Sequence, residues 1–351
     1  MKYYKTTTEY NCGIDLHSRQ MYVCLMDKDA DIKVWCNIKG NDFGYFLKRV
    51  EPYRHDLTVC CESTFNWYWL ADACMDADIE FVLGHALYLS SVRGGKHKND
   101  KEDSKELADC LRSNRLPPGY AYPREKRPAR MLLRRRMKYV WMRSGHMAHS
   151  TNSLMVEGLD PVTCGQHNRD RWRDALKEQH RNDQWRLAVD CDAEMIKQYD
   201  RCIGRIERAI VAYAKEHMSQ DLWLLRSVPG IGDVLGMTIL YETDTVERFP
   251  TPEDFSSYCR LVKGSVSSAG QIKGLKGGKL GNPYLKWALM EAATIMKRHE
   301  RVKKMADRLE AKYGKQVGNA VLANRLARAI YSMLLRKQPF DMERFVTRRS
   351  K

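Results

Sequence analysis

The first hundred residues are patterned as short strands. Residues 32–38 alternate strictly between apolar and polar side chains, which is typical of a strand with one buried face. Four apolar runs predict further strands, at residues 10–16, 21–26, 57–61 and 79–83. The region therefore predicts a sheet of five strands.

Three helices are predicted in the same region. The first follows a cap at Asn41 or Asp42, the second covers residues 68–75, and the third begins at Asn99 or Asp100. Three strands followed by helix, strand, helix, strand and helix predict a mixed sheet with helices on its faces. This order is that of the RNase H-like (RuvC-like) fold of Holliday-junction resolvases.

Four acidic residues occur at informative places in this order. Asp15 lies on the first strand, Glu62 ends the fourth, and Asp100 and Asp103 share one face of the third helix. Four carboxylates from three elements can converge on one or two Mg²⁺ ions, which prefer carboxylates, water and phosphate oxygens. The plainer alternative is that they are ordinary surface acids, because acids in a first helical turn complement the helix dipole.

A basic segment follows at residues 124–143, with nine basic residues, one acidic residue and two interleaved aromatic residues. Such density is unfavourable by self-repulsion unless a phosphate backbone neutralises it. The alternative is a solvated helix face. The predicted nucleic-acid-binding residues are Arg127, Arg130, Arg134, Arg135, Arg136 and Lys138.

A second long helix is predicted from about residue 183 to 218, after a break at residues 158–161 and a polar loop. Its apolar residues recur at spacings of four and three, which predicts a coiled-coil seam used for spacing and oligomerisation. The predicted seam consists of Met195, Tyr199, Cys202, Ile206, Ala209 and Tyr213.

The last third combines helices with glycine-rich loops. SVPGIG at 227–232 is either a simple turn between helices or a helix-hairpin-helix contact to DNA. Further on, Ser267 and Ser268 precede a loop rich in glycine and lysine, and on the residues alone they are ordinary loop serines. Four lysines in this region are predicted to hold a nucleic-acid backbone: Lys263, Lys273, Lys276 and Lys279.

Composition narrows the class of protein. The formal net charge of +16 indicates a polyanionic partner, and nucleic acid is the best candidate. No apolar run reaches the roughly 20 residues that span a bilayer, so no membrane partner is expected. Eleven cysteines without a CxxC pair indicate reduced thiols in a cytoplasm.

Seven segments occur in one order along the chain: GID (13–15), EST (62–64), KNDKED (98–103), SVPGIG (227–232), RFP (248–250), SSAG (267–270) and GNPYLKWALMEAA (281–293). In this order the chain closely resembles the DEDD transposases of the insertion-sequence one-ten (IS110) family, from about residue 10 to 345. It departs from the family pattern at Phe65, Ser104 and Ala269.

The resemblance implies that Asp15, Glu62, Asp100 and Asp103 form the metal-binding tetrad, with Mg²⁺ or alternatively Mn²⁺. It implies that Ser268 attacks DNA and forms a phosphoserine link, with Ser267 as the alternative. It further implies donor and target DNA as substrates, a structured noncoding (bridge) RNA as guide, and a homo-oligomer arranged as a dimer of dimers. The protein would be bacterial and cytoplasmic, and nucleoid-associated when acting.

The expected architecture is α/β plus α. It comprises an RNase H-like catalytic domain (1–122), a basic helix with a coiled-coil arm (123–220) and a mostly α-helical transposase domain (221–351). One rival is an RNase H-fold nuclease or junction resolvase in which water attacks the DNA. Another is a catalytically inactive nucleic-acid-binding scaffold.

Overall fold

A computed structural model describes residues 3–92, 99–162, 168–217, 219–262, 264–268, 271–276 and 280–347, without the side chains of 90–92, 264–268 and 271–276. The chain divides into two units, Met1–Glu125 and Lys126–Lys351. The predicted basic helix with its arm and the predicted transposase domain therefore fall almost entirely within one unit.

The first unit is built on a five-stranded mixed sheet. Its strands are β1 (Tyr10–Leu16), β2 (Gln20–Met26), β3 (Ile32–Lys39), β4 (Leu57–Glu62) and β5 (Glu80–Gly84). The order across the sheet is β3-β2-β1-β4-β5, with β1, β2 and β3 antiparallel and β1, β4 and β5 parallel. The predicted mixed sheet is confirmed.

Four helices accompany this sheet: α1 (Phe43–Val50), α2 (Trp67–Asp76), α3 (Ala86–Val92) and α4 (Asp100–Arg112). The short helix α3 lies where the sequence had indicated a loop. The side chains of β1 alternate, so that Cys12 and Ile14 pack in the core with α1 and α2. Gly13 and Asp15 consequently face the other side of the sheet, where α4 packs on β1.

The second unit begins with long helices. They are α5 (Arg127–Val156), α6 (Arg169–Gln179) and α7 (Asp183–Glu216), and α5 packs against α7. Helix α6 occupies part of the predicted polar loop. On α7 the buried face includes Ile196, Ile203 and Ile210, whereas Met195 is 41% exposed. Of the predicted seam, Tyr199 is buried and Ile206 and Tyr213 are partly buried, whereas Met195 and Ala209 are exposed and the isoleucines one position further along are buried in place of Met195, Cys202 and Ala209.

The remaining helices form a bundle around one apolar core. They are α8 (Gln220–Arg226), α9 (Asp233–Thr243), α10 (Pro252–Tyr258), α11 (Pro283–Met296), α12 (Glu300–Tyr313), α13 (Lys315–Arg336) and α14 (Met342–Thr347). A hairpin of β6 (Gly264–Ser268) and β7 (Gln271–Lys276) lies between α10 and α11 along the chain.

The SVPGIG turn joins α8 to α9. Gly230 has φ +92°, and a Cβ there would lie 3.0 Å from the carbonyl oxygen of Ala292 on α11. Packing within the bundle therefore accounts for this glycine. Among the helices that the structure describes, none is both long and apolar enough to cross a membrane.

Candidate metal centre and serine hairpin

Asp15 and Glu62 lie at the ends of two neighbouring parallel strands. Ile14 of β1 pairs with Cys61 of β4, so Asp15 and Glu62 follow side by side in register. Cys60, two residues before Glu62, donates through Sγ to the Leu107 carbonyl oxygen of α4 at 3.6 Å. Because side chains two apart on a strand share a face, Asp15 and Glu62 both belong to the face that α4 covers.

Close packing of α4 on β1 depends on Gly13. A Cβ at this position would lie 2.3 Å from the backbone nitrogen of Ala108 and 2.4 Å from the carbonyl oxygen of Ser104. Any larger residue would push the helix away. The GID segment therefore combines the residue that admits α4 with Asp15, which faces that helix.

Two contacts fix the start of α4. Asn99 is its cap and accepts a hydrogen bond from the Lys101 amide at 3.1 Å, as the sequence indicated. The Trp35 indole on β3 donates to the Lys101 carbonyl oxygen at 3.2 Å, and the Lys101 ammonium lies 4.0 Å from the centre of that ring. These contacts hold Asp100 in the first turn and Asp103, which is buried, one turn further on.

A histidine that was not predicted from the sequence joins the acidic residues. The Nε2 atom of His17 lies 3.1 Å from Oδ2 of Asp15 and 3.2 Å from Oδ2 of Asp100. The carbonyl oxygen of His17 accepts hydrogen bonds from the side chains of Asn41 and Asn66, at 3.1 and 3.0 Å. The only available signal was that His17 stands two residues beyond Asp15.

Asp15, His17 and Asp100 form a group whose ligand atoms all lie within 4.8 Å of one another. Within the part of the chain that the structure describes, Glu62 and Asp103 are not members of this group. The structure thus brings together Asp15 and Asp100 of the four predicted carboxylates. Glu62 lies on the same face of the sheet as Asp15, and Asp103 lies on the same helix as Asp100.

The electrostatics of the group fit a cation. Burial raises the pKa of Asp15, and the charges of Asp103 and Asp100 raise it further, while His17 opposes the shift. Carboxylates that raise one another's pKa are held together at an energetic cost. A divalent cation coordinated by oxygen ligands would remove that repulsion, so the residues present suit one.

The predicted nucleophile lies at the end of a hairpin. Ser268 is the last residue of β6 and pairs with Gln271, and Ser267 pairs with Ile272 beyond a register shift. Lys273 and Lys276 belong to β7, whereas Lys263 and Lys279 lie outside the described residues. Both serines therefore stand close to the hairpin's turn.

The base of this hairpin is closed by hydrogen bonds to backbone carbonyl oxygens, one from a backbone amide and one from an arginine side chain. The Asn282 amide donates to the Tyr258 carbonyl oxygen at 2.6 Å, and Arg260 Nε donates to the Gly281 carbonyl oxygen at 2.9 Å. Gly281 has φ +96°, and a Cβ there would lie 2.4 Å from the Tyr258 carbonyl oxygen. The two ends of the hairpin segment are thus held together.

Several arginines of the basic segment bind carboxylates of the protein itself. Arg130 Nε and Arg134 Nε donate to Glu242 at 3.0 and 2.6 Å, and Arg136 donates to Glu207 at 2.6 Å. The side chain of Glu242 is fully buried. These three arginines therefore have carboxylate partners within the protein, and two of them share Glu242.

The other three predicted contacts differ among themselves. Arg127 is buried, whereas Arg135 and Lys138 are exposed on α5.

Burial alone would raise the pKa of Glu242, but Arg134 and Arg130 hold it below its usual value. The side-chain Nδ2 of Asn282, the residue that caps α11, also donates to Glu242 at 2.7 Å. This network joins α5 to the base of the serine hairpin.

The mixed sheet and the acidic group upon it fit an α/β enzyme of the RNase H-like class. Residues 12–155 match the family model of the DEDD transposase of IS110 elements, and residues 223–309 match the model described as "Transposase IS116/IS110/IS902 family". The chain belongs to the IS110 family of DEDD transposases, enzymes that cleave and rejoin DNA. A DEDD transposase domain implies use of a divalent metal.

A curated relative agrees with this assignment. The chain is similar to "Putative transposase y4qE" of Sinorhizobium fredii, with 21% identity over 291 residues. The similarity covers 80% of this chain and 70% of the relative.

Proposed function

We propose that this transposase is a Mg²⁺-dependent recombinase in which Ser268 attacks the DNA backbone. Asp15, Glu62, Asp100 and Asp103 would hold the metal. The observation that carries the proposal is the group of Asp15, His17 and Asp100, whose ligand atoms lie within 4.8 Å of one another. Mg²⁺ held by these residues would polarise a phosphodiester and stabilise the charge that develops on its oxygens.

His17 has a positioning role in this proposal. Its imidazole contacts Asp15 and Asp100 and leaves Asp103 one turn away on α4. Because Asn41 and Asn66 hold the His17 backbone, the ring orients both carboxylates from a fixed loop.

The covalent step conserves the phosphodiester. A bond forms between Ser268 Oγ and phosphorus while the bond between phosphorus and one deoxyribose oxygen breaks. Because one phosphoester bond replaces another, no outside energy source is needed, and the proton that the serine gives up is balanced by the one that the leaving oxygen takes up. Because a serine hydroxyl is a weak nucleophile at its free pKa, the step requires activation by the acidic site.

Base specificity would come from a structured noncoding RNA that pairs with donor and target DNA, and the exchange would be performed by a dimer of dimers. The exposed Arg135 and Lys138 would contact phosphates of these nucleic acids without reading their sequence.

The test uses the full chain expressed with its own flanking noncoding DNA. The preparation is incubated with end-labelled DNA and Mg²⁺, and a denaturing gel is read for label that migrates with protein. We expect an adduct with the unmutated chain and none with Ser268→Ala or Asp15→Asn. Ser267→Ala is the matched control and keeps the adduct.

The outcomes separate the rival functions. Cleaved DNA without an adduct, undiminished in Ser268→Ala, would identify a nuclease that uses water. An adduct lost in Ser267→Ala but kept in Ser268→Ala would move the nucleophile by one residue. Absence of any reaction, together with Mg²⁺ binding that Asp15→Asn leaves unchanged, would identify an inactive scaffold.

A further inference from the structure

The chain that follows α13 folds back along it. Helix α13 ends at Arg336, and Lys337 adopts a left-handed conformation with φ 53°. The Phe340 amide then donates to Ser227 Oγ at 3.0 Å, and the Phe340 ring packs 5.2 Å from that of Phe345 on α14. Between α13 and this returning segment lies a groove of about 690 Å³.

Arginine dominates the charge of this groove. Its lining includes four arginines, Arg325, Arg328, Arg336 and Arg344, and a single carboxylate, Asp341. The Asp341 carboxylate accepts a hydrogen bond from the Arg344 amide at 2.9 Å and thus caps α14. The first three arginines are spaced so that they share one face of α13. Like charges on one helix face repel one another unless an anion lies between them.

The four arginines differ in how the protein uses them. Arg325 donates to the Phe345 carbonyl oxygen and lies 5.3 Å from the centre of its ring, so it anchors α14. Arg328 pairs with Glu253, and both side chains are about half exposed. Arg336 and Arg344 are exposed, and within the described residues their guanidinium groups have no protein partner. Two guanidinium groups are thus available to a ligand.

We propose that this groove, formed by α13 and the segment that returns to α14, binds the phosphodiester backbone of a nucleic acid. Guanidinium groups match phosphate oxygens through paired hydrogen bonds and carry their charge at every working pH. The Phe340 ring is packed against Phe345 and is not offered to a base. Binding is therefore independent of base sequence.

DNA and RNA share the chemistry that this groove recognises, and the transposase acts on DNA. The inference depends neither on the metal centre nor on Ser268, so it survives if either assignment fails. It also adds a basic surface to the region for which the sequence had predicted a mostly α-helical domain.

The test measures binding of the full chain to labelled single-stranded RNA, single-stranded DNA and duplex DNA across a salt titration with a chelator present. The double variant Arg336→Gln/Arg344→Gln is compared with Lys303→Gln/Lys304→Gln, which removes the same charge from the exposed side of α12. We expect the arginine variant to lower the salt slope by about 1 per arginine for at least one polymer.

The polymer that shows the loss identifies the source of the phosphates. Because both arginines are exposed and unpaired among the described residues, the unfolding midpoint stays unchanged, and Arg344→Gln alone gives about half the effect on slope. An unchanged slope for all three polymers overturns the proposal. An equal loss in the lysine control also overturns it, because the effect would then be one of net charge.

Discussion

Asp15 is a partly buried carboxylate and Glu242 a fully buried one, and their surroundings shift their pKa values in opposite directions. Burial favours the protonated form of each. Around Asp15 the neighbouring carboxylates Asp103 and Asp100 add to this effect, whereas Arg134 and Arg130 overcome it around Glu242. The carboxylate at the sheet thus lacks sufficient positive charge, and the one in the helical unit is neutralised by the protein.

This difference distinguishes a carboxylate group that suits a cation from a carboxylate that the protein's own arginines neutralise. A carboxylate that the fold neutralises has no need of a ligand, and its contribution is to hold helices together. A carboxylate whose neighbours are also acidic is stabilised only when something else brings positive charge. The following substitutions test this contrast.

Glu242→Gln has the largest expected effect on stability. It leaves Arg130 and Arg134 without their carboxylate in a buried site, which costs about 3 kcal/mol. Urea denaturation measures it. The control is Glu253→Gln, which breaks an exposed pair with Arg328 and costs less than about 1 kcal/mol. Equal midpoints for the two variants would show that the buried network is not structural.

The lowered pKa of Glu242 predicts that the stability of the protein depends on pH. The pKa of Glu242 is lower in the folded state, so its stabilisation is present above the ordinary value of 4.5 and is lost as the pH falls through the folded pKa. Denaturation of the unmutated chain and of Glu242→Gln should therefore converge at acidic pH. A difference that persists unchanged to pH 3 would contradict this assignment.

Gly13→Ala tests how the acidic group is assembled. The new Cβ meets the backbone of α4, so we expect a loss of about 1–3 kcal/mol and weaker Mg²⁺ binding by calorimetry. Gly145→Ala on α5 is the control, because nothing lies within 4 Å of its Cβ. That substitution should stabilise the chain by about 0.5–1 kcal/mol. Intact metal binding in Gly13→Ala would mean that α4 need not touch β1.

Asp15→Asn has a smaller effect on stability, of opposite sign to Glu242→Gln. With a chelator present, removing one of three repelling charges should raise the unfolding midpoint. Without the chelator, the same substitution should abolish Mg²⁺ binding. Glu102→Gln, exposed on the same helix as Asp100, should change neither quantity. A lowered midpoint in Asp15→Asn would indicate that the carboxylate is structural.

Arg135→Gln/Lys138→Gln has the smallest effect on stability, because both side chains are exposed. If they contact phosphates, the salt slope of nucleic-acid binding falls by about 0.9 per contact for duplex DNA or about 0.7 for a single strand. Arg136→Gln, which loses its bond to Glu207, should instead lower the unfolding midpoint. An unchanged slope in the double variant would identify a solvated face.

The sheet was predictable because its signals are local. Each strand is a short apolar or alternating run, and Asn99 caps α4 through an adjacent amide. Helix α3 was missed because seven residues after a strand give little periodicity. That the side chains of Asp15 and Glu62 share one face of the sheet could also be predicted, because side chains alternate along each strand.

The parts that escaped prediction depend on contacts between distant residues. Arg130 and Glu242 are separated by 112 positions, and no local pattern reveals such a pair. The density of positive charge before Tyr139 suggested phosphates, although several of its partners are carboxylates further along the chain. His17 was missed because it lies just beyond the strand, where no periodicity indicates its direction.

The closed base of the serine hairpin has a consequence for how this part of the protein can vary. Since Asn282 and Tyr258 are joined by a backbone hydrogen bond, the segment between them leaves and re-enters the bundle at one place. For the bundle, that segment is therefore a loop whose two ends are held at a fixed distance. Doubling such a loop costs only about 0.6 kcal/mol of closure entropy. The hairpin can accordingly lengthen, shorten or be exchanged between related chains as a cassette, while the helices that carry it keep their packing.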